Sequence, residues 1–159
     1  MDLKEKLKKK FGAKNILRKC NESCALKDIS HKNFIILAGD NIKNQKMNES
    51  SVDCIIIDLR KNQENKYRVI LCELTTSTKE LDKAKNKFED SGKLIIETMN
   101  EFGESIYKID CLLLGQIVKN GKNINRKHLL KPINIKGYDK RDAVINQKYC
   151  GYSIKDLYA

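Results

Sequence analysis

The chain has 159 residues, 40% of them hydrophobic and 33% charged, and its formal net charge is +11. This length suits one domain, and the composition is apolar enough to fold but too charged for a membrane-embedded protein. No stretch approaches the roughly 20 apolar residues of a membrane span, and the first residues lack the apolar segment of a secretory signal. We therefore expect one domain over residues 1–159, in the cytoplasm and without a membrane partner.

Basic side chains concentrate in two blocks of the sequence. Residues 1–19 carry eight Lys and Arg against two acidic residues, and the basic C-terminal extension over 119–148 carries nine against two. Such blocks are typical of a protein that binds a polyanion, because each neutralised phosphate releases counterions. The alternative is a solvated surface in a chain of biased, lysine-rich composition. The candidate contacts to nucleic acid are Lys8, Lys9, Lys10, Lys122, Arg126, Lys127, Lys140 and Arg141.

The six cysteines do not form the dense pattern of a small disulfide-rich domain. Cys20 and Cys24, with His31 and Cys150, are the residues from which a zinc site could be assembled, but their spacing matches no strong zinc motif. We therefore expect reduced thiols, with neither structural zinc nor disulfides. The remaining three cysteines lie in apolar runs and are expected to pack as small core residues: Cys54, Cys72 and Cys111.

The first half of the chain predicts one helix and three strands. Apolar residues at positions 3, 7, 11, 16 and 17 have helical spacing and predict a basic amphipathic helix over 2–18, bent at Gly12. Apolar, β-branched runs predict strands over 34–39, 52–59 and 67–75. A Gly-Asp-Asn turn with a polar loop joins the first two of these strands, and a hairpin joins the last two.

The second half predicts a long helix over 78–102, in which Gly92 fills one core position, and a strand over 106–118. The basic tail is expected to hold a loop, a short strand near 133–135, a segment around 143–145 and a terminal turn. A crossover helix between two long strands favours a parallel pair. The predicted fold class is therefore α/β, with a mixed sheet that is antiparallel at first and parallel after the crossover.

Two carboxylates are expected at one edge of this sheet. Asp53 opens the second predicted strand and Glu73 lies near the end of the third, so a hairpin between these strands can bring the two side chains together. Two hard oxygen ligands suit a Mg²⁺ or Mn²⁺ ion that keeps several waters. Such a metal can activate water and neutralise charge in phosphodiester hydrolysis. Each residue taken alone is also consistent with a solvated charge at a strand end.

This layout resembles the PD-(D/E)xK nuclease superfamily, with its restriction endonuclease-like mixed sheet flanked by helices. Within it the chain looks most like archaeal Holliday junction resolvases and related archaeal or viral nuclease-like proteins, over roughly residues 1–118. The dipeptide 52–53 falls where the family has Pro-Asp, and the tripeptide 73–75 falls on its (Asp/Glu)-x-Lys motif. Glu5 is the only glutamate on the first helix, where some members carry another metal-site carboxylate.

The resemblance implies metal-dependent cleavage of DNA, including branched or otherwise structured DNA, with Asp53, Glu73 and Glu5 as metal ligands. Thr75 stands where the family has a lysine that orients water and stabilises the transition state. An active enzyme would therefore need another cation. Lys79 is the nearest candidate, with Lys83 one helical turn further along; both are also consistent with solvated lysines on a charged helix face.

Two alternatives remain open at this stage. The same fold can serve as a DNA-binding module that has lost catalysis, or the chain can be a protein-interaction or assembly subunit whose charge is incidental; a homodimer is also open. The sequence contains no Gly-rich phosphate loop. Aromatic residues are 6% of the chain, without tryptophan or a clustered triplet, which argues against a platform that stacks unpaired bases. We expect lysine contacts to the DNA backbone instead.

Overall fold

The computed structural model describes residues 1–20, 24–46, 50–74, 81–115, 118–119, 122–123, 133–140 and 142–159. Within these ranges the strands are β1 (Ile16–Leu17), β2 (Phe34–Ala38), β3 (Cys54–Asp58), β4 (Tyr67–Leu74), β5 (Ile106–Leu114), β6 (Val118–Lys119), β7 (Lys122–Asn123) and β8 (Ile145–Lys148). The helices are α1 (Leu3–Phe11), α2 (Gly39–Lys46), α3 (Leu81–Glu101) and α4 (Ile154–Leu157), and a 3-10 helix spans Ala13–Asn15.

Six strands form one mixed sheet in the order β1-β2-β3-β4-β5-β8, and β6 pairs with β7 separately. The pairs from β1 to β4 are antiparallel, whereas β5 lies parallel to both β4 and β8. The expected mixed α/β sheet, antiparallel first and parallel after the crossover, is thus confirmed. All residues of β3 are buried, as are all but the last of β4. Because both faces of the sheet are covered at these strands, successive side chains are all buried, and this explains the continuous apolar runs in their sequences.

One face of the sheet packs against α1, α2 and α3. Leu7, Phe11 and Phe88 are among its fully buried side chains, and α3 is the crossover between β4 and β5. Gly92 of α3 is required by close packing, because an added Cβ would lie 2.7 Å from a methyl carbon of Ile135. The core position that lacks a side chain on α3 is thus filled by an isoleucine from the C-terminal region.

The other face is covered by the segment before β2 and by the C-terminal residues. Leu26, Tyr152 and Ile154 pack there against the buried side chains of the central strands. Backbone bonds join the two covering segments: the Lys27 N–H donates to the Tyr152 carbonyl at 2.9 Å, and the Ile154 N–H donates to the Lys27 carbonyl at 3.0 Å. Residues near both ends of the chain therefore form one layer over this face.

A buried polar network fastens α4 to the sheet. Arg68 Nε lies 2.6 Å from Asp110 Oδ2, and the same guanidinium donates to the Leu157 carbonyl at 3.3 Å. The Tyr158 hydroxyl donates to Asp58 Oδ2 at 2.6 Å. Each buried charge of this network has an opposite charge or a hydrogen-bond donor beside it, which is the usual condition for burying charge. We assign the network a role in holding the C-terminus.

The cysteine expectation is wrong for four of the six residues. The described part of the chain contains two disulfides, Cys20–Cys54 and Cys24–Cys150. These partners are 34 and 126 residues apart in sequence, so only the fold brings them together, and spacing could not reveal the pairs. Cys72 and Cys111 are buried thiols, as expected, and burial raises the pKa of both.

Three predicted elements differ in the structure. The first helix ends at Phe11 because Gly12 has a φ of 91°, and residues 16–17 form strand β1 instead of continuing the helix. Helix α2 occupies the segment expected to be a turn and polar loop; it is anchored by the buried Ile42. The residues around Ile133 form no strand, and the last strand of the sheet is β8.

Among the described residues, no helix is both long and apolar enough to cross a membrane.

Candidate active site

The two predicted carboxylates meet at the edge of the sheet where β2 ends, β3 begins and β4 ends. Cys54 pairs with Cys72 in the antiparallel register of β3 and β4. Continuing this register by one residue puts Asp53 directly opposite Glu73, on the face of the sheet that carries α3. The hairpin topology therefore produces the juxtaposition that the sequence predicted.

Asp53 and Glu73 are bonded reciprocally through the backbone. The Asp53 N–H donates to Glu73 Oε1 at 3.1 Å, and the Leu74 N–H donates to Asp53 Oδ2 at 2.9 Å. Each carboxylate thus accepts a hydrogen bond from the strand that carries the other. These bonds fix both side chains on rigid strand ends, which is the kind of support that a precise site needs.

Lys87 of α3 completes the cluster. Its Nζ lies 2.6 Å from Glu73 Oε2, and its side chain is 34% exposed, whereas that of Glu73 is 3% exposed. Partial burial disfavours the charged form of Lys87, but the hydrogen bond to Glu73 and the charges of Glu73, Asp53 and Asp40 outweigh this effect. The pKa of Lys87 is therefore raised, and the lysine is a cation at the carboxylate pair.

The pKa of Glu73 is raised to about 7, chiefly because the group is buried; the hydrogen bond and charge of Lys87 lower it, and the neighbouring Asp53 carboxylate raises it. Two neighbouring carboxylates repel each other when both are ionised, so the ionisation of one raises the pKa of the other. A cation bound between them would favour the ionised form of Glu73. Strongly perturbed carboxyl groups of this kind occur preferentially at functional sites.

Neighbouring elements hold the start of β3 in place. Ser91 Oγ on α3 accepts from the Val52 N–H at 2.9 Å, and the Gly39 N–H donates to the Asp53 carbonyl at 2.9 Å. A Cβ at Gly39 would lie 1.7 Å from the Val52 carbonyl oxygen, so only glycine permits this approach. Ser91 follows Lys87 by one helical turn, and the same helix face therefore supports both Asp53 and the cation.

The structure brings Asp53 and Glu73 together but does not bring Glu5 to them. Lys6, next to Glu5, donates to the Phe102 carbonyl just beyond the end of α3. About 21 Å of helix separates this end from Lys87, at 1.5 Å per residue. Glu5 is instead an exposed residue of the first turn of α1, where its N–H donates to the Asp2 side chain at 2.8 Å.

A cation that the sequence analysis did not name lies on the same helical row as Lys79 and Lys83. Lys79 lies outside the described residues, as does Thr75, and Lys83 is exposed without contributing to the described cluster. Counting in turns of four residues from Lys83 leads to Lys87 and then to Ser91, both of which contact the site. The spacing of this row in the sequence is the signal from which Lys87 could have been named.

The candidate nucleic-acid contacts are only partly described. Lys8 and Lys9 are exposed on α1, whereas Lys10 pairs with Glu101 and Lys140 donates to the Tyr107 carbonyl. Lys122 belongs to the small strand pair of β6 and β7. Three further candidates lie outside the described residues: Arg126, Lys127 and Arg141.

The described site offers a metal only two carboxylates, and their oxygens are hard ligands of the kind that Mg²⁺ prefers. Across the described ranges, no group of three or more His, Cys, Asp and Glu residues is arranged to hold a metal ion. Magnesium, however, is commonly bound by one or two carboxylates, with waters and substrate phosphates as the other ligands. Asp53 and Glu73 fit this pattern, because they offer two carboxylates at one strand end with room for other ligands to come from water or substrate.

Comparison of the chain with protein-family models, with curated proteins and with solved structures finds no match.

Proposed function

We propose that this protein is a metal-dependent nuclease that cleaves DNA, with Asp53 and Glu73 as ligands of Mg²⁺ or Mn²⁺ and Lys87 as the cation of the site. The observation that carries this proposal is the convergence of two carboxylates and one lysine at a single sheet edge. Asp53 and Glu73 are joined by a hydrogen bond of 3.1 Å, and Lys87 lies 2.6 Å from Glu73. The sheet edge thus provides both metal ligands and a donor for phosphate.

These residues provide complementary chemistry at a phosphodiester. Asp53 and Glu73 would hold a divalent metal, which would supply an activated water and neutralise charge on the scissile phosphate. Lys87 provides a charged donor where negative charge develops in the transition state, which is commonly the largest single contribution to such catalysis. Its partly exposed ammonium group is accessible from solvent while its partner Glu73 is buried.

Lys87 also supports the likeness to the PD-(D/E)xK nucleases. The restriction endonuclease-like fold of that superfamily implies a mixed sheet with carboxylates at one edge, and this chain has such a sheet. Its motif lysine is replaced here by Thr75, which has no charge to offer. A lysine delivered from the crossover helix supplies the missing charge at the same carboxylate, so the departure from the motif does not remove the required set of groups.

Charge near the site supports DNA as the substrate. Strand β5 brings the chain to the same sheet edge at Gly115, because Leu113 and Leu114 pair with Glu73 and Leu74. The sequence that follows, 116–132, contains five Lys and Arg and no Asp or Glu. This basic sequence follows directly on Gly115, and contacts of its Lys and Arg residues to backbone phosphates would release counterions and favour DNA binding.

Cleavage assays on linear, flapped and four-way DNA with Mg²⁺ or Mn²⁺ test the proposal. Asp53→Asn and Glu73→Gln should abolish cleavage and preserve DNA binding, because each removes a metal-site charge without touching the basic blocks. Glu97→Gln is the matched control, since Glu97 is an exposed glutamate of α3 and should be silent. Wild-type protein that cleaves none of these substrates with either metal would refute the nuclease proposal.

A DNA-binding module without catalysis is the second candidate. One observation favours it: the Lys87 ammonium already sits on Glu73 Oε2, so a lysine can neutralise this carboxylate in place of a metal. In that case Mg²⁺ would not change the thermal stability, and Lys87→Met would destabilise the protein by exposing the repulsion between Asp53 and Glu73. In the nuclease, the same variant retains metal-dependent stabilisation.

A further inference from the structure

Lys87 occupies an oxygen of the carboxylate pair that a metal ion would also use. Its Nζ lies 2.6 Å from Glu73 Oε2, and the other oxygen of Glu73 accepts the Asp53 N–H at 3.1 Å. Asp53 Oδ2 accepts the Leu74 N–H at 2.9 Å. Of these three partners of the pair, two are backbone N–H groups and one is a side-chain ammonium group.

The three partners differ in how easily they can leave. One N–H belongs to Leu74, the last residue of β4, and the other to Asp53, whose carbonyl is itself held by the Gly39 N–H. Both are fixed by the backbone of the sheet. Lys87 carries its charge on a flexible stem of four carbons, and its side chain is 34% exposed, against 3% for Glu73. The ammonium group is therefore the partner that can leave the carboxylate without disturbing the fold.

Negative charge keeps the Lys87 ammonium group near the site when it leaves Glu73. The charges of Asp53 and Asp40 attract it in addition to that of Glu73. Asp40 is exposed in the first turn of α2, directly after Gly39. A lysine released from the buried carboxylate therefore stays at the sheet edge, where a substrate phosphate can reach it from solvent.

We infer that Lys87 is an exchangeable counter-ion of this site: it occupies Glu73 in the free protein and is released toward the substrate when a divalent metal binds the carboxylate pair. This inference rests on the proposed function and specifies how that same site is controlled. Two cations that need the same carboxylate oxygen compete for it, so removing the lysine should strengthen metal binding. Removing it should also slow cleavage, because the phosphate loses its charged donor. One substitution should therefore have opposite effects on metal affinity and on turnover.

Calorimetric titration with Mg²⁺ alone tests the competition without DNA. At about pH 8.5, where protons compete little for the carboxylates, Lys87→Met should bind Mg²⁺ more tightly than wild type. The expected gain is about 10-fold to 100-fold, the effect of one hydrogen bond between charged groups. Lys83→Met is the matched control, since it removes the same charge from an exposed position one turn away and should bind Mg²⁺ as wild type does.

Labelling with an amine-reactive reagent, followed by peptide mass spectrometry, measures the release of Lys87 directly. Lys87 should be labelled slowly in a chelator and several-fold faster in saturating Mg²⁺, because its ammonium group is then no longer paired with Glu73. The exposed Lys83 should be labelled at one rate in both conditions. Glu73→Gln removes the negative partner, so in this variant Lys87 should be labelled fast in chelator and Mg²⁺ should have no further effect.

The outcomes separate this inference from the proposed nuclease. Equal Mg²⁺ affinity of wild type and Lys87→Met, an equal gain in Lys83→Met, or labelling of Lys87 that Mg²⁺ does not change would overturn the exchange. Cleavage of DNA by wild type would leave the nuclease intact in each of these cases. Tighter Mg²⁺ binding by Lys87→Met in a protein that cleaves no DNA would support the exchange and refute the nuclease. Absence of Mg²⁺ binding by wild type and Lys87→Met alike would refute both.

Discussion

Lys87 and Glu73 form an ion pair between the crossover helix and the end of β4, with Nζ 2.6 Å from Oε2. The other carboxylate oxygen of Glu73 accepts the N–H of Asp53. Both oxygens of one buried glutamate are thus used to join three elements: the start of β3, the end of β4 and α3. Lys87 is central to the electrostatics of the sheet edge, because its positive charge opposes the mutual repulsion of Asp53 and Glu73.

Replacing Lys87 with methionine tests whether this cation acts in catalysis. The variant keeps an apolar stem and removes the charge, so cleavage should fall by about 100-fold to 1,000-fold, the usual effect of losing one transition-state donor. DNA affinity should change only a few-fold. Lys83→Met is the matched control, since Lys83 is exposed one turn away on the same helix. Equal rates for both variants in single-turnover assays would show that Lys87 has no part in the chemistry.

The raised pKa of Glu73 makes stability depend on pH. Glu73 binds its proton more tightly in the folded protein, with a pKa of about 7 against an ordinary value of 4.5, so unfolding releases a proton between these values. The free energy of unfolding should therefore fall as the pH rises from about 4.5 to about 7, by an amount on the order of 3 kcal/mol. Urea unfolding at pH 5 and pH 8 measures this, and Glu73→Gln should lack that decrease.

Metal binding should show the opposite dependence on pH. A divalent ion competes with the proton on Glu73, so Mg²⁺ should bind more tightly at pH 8 than at pH 6. Thermal shift with Mg²⁺ alone measures this without DNA, because a ligand of the folded state raises the melting temperature. Asp53→Asn should lose the shift. A melting temperature that is insensitive to Mg²⁺ at pH 8 would contradict the metal site and favour the binding module.

The order of the central elements was predictable because it depends on local patterns. Continuous apolar runs predicted β2, β3 and β4, and the spacing of Ala84, Phe88 and Ile95 predicted α3. Hairpin topology then sufficed to place Asp53 opposite Glu73. What failed depends on tertiary contacts: α2 has a polar sequence and is held by Ile42, and the partners of the disulfides are distant in the chain.

Lys87 shows one limit of sequence reasoning. It had a usable signal, since it lies on the same helical row as Lys83, but the sequence alone does not fix which turn of α3 packs beside Glu73. Residues that a local motif places on strands were therefore found, and residues placed by the packing of one element on another were missed.

The disulfides should contribute strongly to stability. In the chain-entropy description, closing the loops of Cys20–Cys54 and Cys24–Cys150 restricts the unfolded chain by about 4 and 5 kcal/mol. A reductant should therefore lower the melting temperature by well over 10 °C, given about 2 to 4 °C per kcal/mol for a domain of this size. Cys111→Ser, which removes a buried thiol outside both bridges, is the control and should respond equally to reductant.

Peptide mapping under non-reducing conditions checks the same disulfides directly. Two linked peptide pairs are expected, with Cys72 and Cys111 modified only after denaturation because both are buried. Six free thiols after denaturation without reductant, together with a melting temperature that does not change in reductant, would restore the original expectation of reduced cysteines.

DNA binding should depend steeply on salt. With about six phosphate contacts, affinity should fall on the order of 1,000-fold between 50 and 200 mM salt, because log affinity follows log salt with a slope near the number of contacts. Lys8 and Lys9 are exposed on α1, and reversing both to glutamate should weaken binding to all sequences alike and reduce that slope. Reversing Lys32 and Lys155 together, two exposed lysines outside the basic blocks, is the control for net charge. Equal losses from this pair and from the pair on α1 would show that overall charge alone is responsible, and a flat salt titration would contradict phosphate binding altogether.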